Sequence, residues 1–111
     1  MTWQPDAQRD PHHWLGTFGG HLYIGLGLWI AALWLGPWWA VVAASAAYAL
    51  WEIGSAFRWG LLLWDSVLDT VGVTFGAMTG AYLWHQQWGG AAWCVASCIV
   101  IGTAGYEKRR R

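Results

Sequence analysis

Four apolar stretches divide almost the whole chain: Trp14 to Gly36, Trp38 to Phe57, residues 65 to 84, and residues 90 to 106. A helix rises about 1.5 Å per residue, so roughly 20 residues cross a hydrocarbon core about 30 Å thick. The pattern predicts an all-α fold, a four-transmembrane-helix bundle with short turns. A polar N-terminal arm, residues 1 to 13, and a basic tail, residues 107 to 111, flank the helical domain. Only 11 % of the 111 residues are charged and 57 % are hydrophobic, which makes a water-soluble surface hard to build. The twelve Trp and fifteen Gly argue the same way: Trp favours membrane interfaces, and Gly lets membrane helices approach closely.

The connections set the expected orientation. Gly36-Pro37 and the His85 to Gly90 turn carry no Lys or Arg, whereas Arg9, Arg58 and the tail Lys108, Arg109, Arg110 and Arg111 all fall on the other side of a four-span arrangement. The positive-inside rule places both termini and the Arg58 loop of a multi-pass protein in the cytoplasm. The tail reads as a contact with anionic lipid. No basic and aromatic pattern elsewhere suggests a nucleic-acid partner. The arm lacks the features of a signal peptide and is expected to be retained. Cys94 and Cys98 stand four apart in an apolar run, a spacing that suits packing on one helix face and suits a disulfide poorly.

The stretch Trp51 to Gly80 holds most of the ionisable side chains of the apolar region: Glu52, Arg58, Asp65 and Asp69. Asp65 and Asp69 share a helix face, and Gly72, Gly76 and Gly80 continue it. A carboxylate facing lipid is costly, so this face is expected to turn inward. The glycines then form a packing groove for another helix, with Gly16, Gly20 and Gly27 as the expected matching face, or a surface for self-association. Up-and-down threading brings Glu52, Asp65 and Asp69 to one depth with His12, His13 and, two turns deeper, His21. Three carboxylates with one or two imidazoles, His13 or His21, suit a divalent cation, shared protons, or a head group held through a metal. Plainer roles exist for several of them: Asp65-Ser66 as a helix cap, Glu52 with Arg58 as an ion pair, and a protonated Asp69 bonded to Ser45 or Tyr48. No GxSxG, HExxH, phosphate-binding glycine loop or CxxC pair is present, so no enzyme class follows.

The His at the start of the first span, the acid ending the second, and the run Asp65-Ser66-Val67-Leu68-Asp69-Thr70-Val71-Gly72 opening the third resemble the VanZ-like group of small bacterial membrane proteins and the related small family typified by YfiM. The counterparts are His13 or His21, Glu52, and Asp65 with Asp69. The resemblance covers roughly His13 to Gly80 and implies a polytopic cytoplasmic-membrane protein linked to envelope or glycopeptide tolerance, with no settled reaction. The size and pattern also resemble bacteriophage cargo. Three functions follow as expectations: a polar cluster that engages lipid head groups or envelope precursors through a metal or protons; a phage holin or pore-forming lysis protein; and an accessory subunit docked by its glycine faces on a larger membrane complex.

Overall fold

The computed structural model of the chain describes residues 10–59 and 63–110, with all their side chains except those of residues 56, 59 and 63–66. Among the described residues there are four α-helices and no strand: α1 (Pro11–Ala32), extended by a 3-10 turn at Leu33–Leu35, α2 (Pro37–Trp59), α3 (Leu63–Trp84) and α4 (Trp88–Arg110). Each helix is 22 or 23 residues long, about 33 to 35 Å.

Local chemistry fixes most of the helix ends. α1 starts three residues earlier than its apolar run because Asp10 is its N-cap: the carboxylate accepts from the backbone N–H groups of His12 and His13, and Pro11 occupies the first turn, where a missing N–H costs nothing. His12 and His13 therefore belong to the helix and not to an arm. Gly36, at φ 106°, makes the turn into α2, a conformation that strains any side chain. Across this turn the Trp29 indole donates to the Pro37 carbonyl at 2.9 Å. α3 ends in a Schellman motif: Gln87 N–H bonds to the Tyr82 carbonyl, Gln86 N–H bonds to the Leu83 carbonyl, and Gln86 takes the left-handed conformation usually given to glycine. α4 runs through the expected basic tail to Arg110. Its last turn is held by Arg109, which donates to the Gly105 carbonyl at 3.1 Å and lies over the Trp14 ring, and by an Arg110–Glu107 ion pair at 3.0 Å. α3 is described from Leu63 onward, which places the Asp65 backbone within the helix.

Neighbouring helices alternate in direction, which leaves α1 and α3 parallel. These two make the most extensive contact, and each also packs against α2 and α4, which flank them on opposite sides. The contact is close because it is made of backbone. A Cβ at Gly25 would collide with the Val73 carbonyl, and one at Gly76 with the Leu22 carbonyl. A Cβ at Gly72 would lie 3.3 Å from both the Phe18 ring and the His21 Cβ, and one at Gly80 would lie 2.8 Å from the Trp29 ring. The glycine of α1 that matches this face is Gly25. The expected Gly16, Gly20 and Gly27 face open space, with nothing within 4 Å of a Cβ at any of them. Helical spacing puts Gly25 and Gly27 on opposite faces but does not say which face turns toward α3.

Two apolar cores close the bundle. Trp29, Ala40, Val41, Ala44, Ala77 and Ala81 join α1, α2 and α3 near the Gly36 turn. Trp14, Phe18 and Cys98 join α1 to α4 at the other end, where the Trp14 indole also donates to the Gly102 carbonyl at 3.1 Å. Both cysteines are buried free thiols. Much of the outer surface carries large apolar side chains, among them Trp34 at 82 % exposure and Phe57 at 89 %. Two helical stretches, Pro11–Leu35 and Trp88–Arg110, are long and apolar enough to cross a membrane. α2 and α3 carry acids within their apolar runs, Glu52 in one and Asp69 in the other.

Candidate functional site

One polar cluster lies inside the bundle, on the α2 side of the α1–α3 pair. His21 of α1, Glu52 of α2 and Asp69 of α3 each present a ligand atom, and these atoms all lie within 4.8 Å of one another. Glu52 is 7 % exposed, and the His21 and Asp69 side chains are 12 % and 21 % exposed. Asp69 thus gives the cluster its widest opening. His21 stands ten residues into α1, Asp69 six into α3, and Glu52 seven from the end of α2. At 1.5 Å per residue that is roughly 9 to 15 Å from the helix ends, deeper than the boundary position expected from the sequence.

Neighbours one helical turn away orient two of the three side chains. His21 Nδ1 is 2.6 Å from the Thr17 carbonyl. A carbonyl only accepts, so Nδ1 carries a hydrogen, and Nε2 is the ring nitrogen that faces Asp69. The Nε2 to Asp69 Oδ2 separation is 3.6 Å, too long for a direct hydrogen bond. Tyr48 donates to Glu52 Oε1 at 2.5 Å, and its ring meets the His21 ring edge-on at 5.6 Å. Glu52 Oε2 remains as a second acceptor. Beyond the cluster, the Thr74 hydroxyl donates to Ser45 at 3.0 Å and closes the polar strip between α2 and α3.

The structure decides which histidine joins the acids. His21 does; His13 is exposed in the first turn of α1, two helical turns away, and takes no place among these ligand atoms. The side chain of Asp65 lies outside the described residues, as does Arg111. Asp69 faces His21, whereas Ser45 and Tyr48, its expected partners, engage Thr74 and Glu52. Thr17 and the role of Tyr48 toward Glu52 escape the sequence reading. Both sit four residues before the side chain they orient, a spacing that places them on the same helix face.

The donor set is one imidazole nitrogen and two carboxylates. Two ligands about 2.0 to 2.2 Å from a tetrahedral ion stand roughly 3.4 Å apart, close to the His21–Asp69 separation. Imidazole with carboxylate favours Zn²⁺, Mn²⁺ or Fe²⁺ over Ca²⁺ and Mg²⁺, which prefer oxygen throughout. Two carboxylates in their ionised form beside a neutral imidazole would carry two negative charges, which a divalent cation would neutralise in a low-dielectric interior. Comparison with protein families, with curated proteins and with solved structures finds no match.

Proposed function

We propose that the chain is a small four-span protein of the bacterial cytoplasmic membrane that binds a divalent transition-metal ion, in exchange with protons, at His21, Glu52 and Asp69. The observation that carries this reading is the convergence of three ligand side chains from three helices inside a bundle whose outer surface is apolar. Charged groups placed so are expensive unless they are neutralised together. The membrane setting is supported by the helix lengths, by the two helices apolar enough to cross, and by the outward-facing majority of residues in both. The core helix of a water-soluble protein would be mostly covered. Both termini are assigned to the cytoplasm by the basic residues at that end. The depth of the cluster makes the ion itself the ligand, since a head group would have to leave the interface to reach it. The motif resemblance to the VanZ-like group agrees with an envelope role, in which a metal- or proton-dependent step acts on membrane precursors.

Titration of the purified chain in detergent micelles with Zn²⁺ and with Mn²⁺ tests the site. Asp69→Asn is expected to weaken binding about a hundredfold or more, since even outer-sphere partners are worth roughly ten- to a hundredfold, and to leave carbonate-resistant membrane insertion intact. Acidification is expected to weaken wild-type binding as well: Nδ1 already holds its hydrogen, so an added proton takes the Nε2 lone pair that the metal needs. Unchanged affinity in Asp69→Asn would remove the site.

A further inference from the structure

The α4 side of the α1–α3 pair holds a groove of a different kind. Its volume is about 450 Å³, and it is lined by α1, α3 and α4, with Leu15, Gly19, Leu26, Gly76, Val95 and Ile99 among its walls. The lining is almost wholly apolar. Even Thr79 contributes little polarity, because its hydroxyl donates to the Phe75 carbonyl of its own helix at 2.7 Å. Along α1 the groove runs from Leu15 to Leu26, eleven residues or roughly 16 Å, about half of a hydrocarbon core some 30 Å thick. That is the reach of one leaflet. At its Leu15 end lie Gly102 and the Trp14 indole bonded to it, and the Arg109 guanidinium covers the Trp14 ring 4.2 Å from its centroid. Among the described residues, Arg109 Nε is buried with no hydrogen-bond partner. Lys108 beside it is exposed, and Arg110 already pairs with Glu107.

The geometry points to a binding site for one acyl chain of an anionic phospholipid of the inner leaflet, with its phosphate at Arg109, which shares the Gly102 face of α4. The inference rests on the membrane-spanning reading and not on the metal site. An apolar slot one leaflet long, with a guanidinium beyond its Leu15 end, matches a lipid in both length and charge. A second copy of the chain would bring the same cations to that end, and like charges would oppose it.

Full-length protein in nanodiscs of equal parts phosphatidylglycerol and phosphatidylcholine, released into a native mass spectrometer, reads the site directly. Wild type is expected to retain a single phosphatidylglycerol. Gly19→Phe fills the groove; position 19 has open space around a Cβ, so the bundle tolerates the ring. Its retained lipid is expected to fall about tenfold, the equivalent of roughly 1.4 kcal/mol. Arg109→Gln should keep a lipid bound but lose the preference for phosphatidylglycerol. Carbonate extraction run in parallel separates the two readings. Extraction of the wild type from membranes defeats the membrane assignment and the lipid site together. A carbonate-resistant wild type that retains no lipid, that leaves as a lipid-free dimer, or that holds phosphatidylglycerol equally well as Gly19→Phe defeats the lipid site alone.

Discussion

The two sides of the α1–α3 pair are opposites. Facing α2, the pair presents His21 and Asp69 to Glu52 and Tyr48, with Thr74 reaching Ser45 behind them. Facing α4, it presents Leu15, Leu26 and Gly76 to Val95 and Ile99, and the polar groups retreat to the end of the helix. The partition between them is thin because Gly25 and Gly76 let each backbone touch the other's carbonyl groups. A polar cluster and an apolar groove therefore coexist only a helix diameter apart. Close glycine packing builds the wall, and the side chains on either side decide what each surface can hold.

The strongest way to break this comparison is to break the wall. Gly76→Val pushes a side chain into the Leu22 backbone, which cannot swing away, and is expected to cost about 3 kcal/mol or more of bundle stability. Gly27→Val, at a position with open space, should stay within about 0.5 kcal/mol. Unfolding in mixed micelles followed by Trp fluorescence measures both, and metal and lipid binding should fail together only in the first. The next test separates the two sides. Glu52→Gln should lower Zn²⁺ affinity about a hundredfold, roughly 2.7 kcal/mol, without changing lipid retention in the α4 groove. A loss of both would show that the sides are coupled. A finer one concerns orientation: Tyr48→Phe removes the donor to Glu52 but no ligand, so affinity should fall about tenfold, in the range of an outer-sphere partner. The smallest expected effect is Thr74→Val, which removes the hydrogen bond to Ser45. Bonds between membrane helices average about 0.6 kcal/mol, and a shift of that size with unaltered metal affinity would confine this pair to packing.

Parts of this organisation are legible in the residues alone. The helices follow from apolar runs and their breaks, and Gly36-Pro37 and the His85 turn fall where the structure bends. The element ends were less legible. Asp10 starts α1 early because capping acts before the apolar run begins, and α4 continues through the basic tail because Arg109 and Glu107 find partners on the helix itself. The choice between His13 and His21 could not be read, since both precede the acids at depths plausible from the sequence, and only the depth and rotation at which α1 packs bring His21 to them. The same rotation selects Gly25 over Gly16, Gly20 and Gly27.

Residue types and their spacing determined that this chain forms helices long enough for a bilayer, that acids fall within apolar segments, and that glycines follow them on one face. These are local properties, fixed by what each segment can bury and by a period of 3.6 residues per turn. Tertiary structure decided that α1 and α3 meet backbone to backbone, that His21, Glu52 and Asp69 converge in one cluster, and that the α4 side is left as a groove. Those outcomes depend on how each helix is rotated and which neighbour it meets, and a periodic sequence offers several faces of similar cost until close packing selects one.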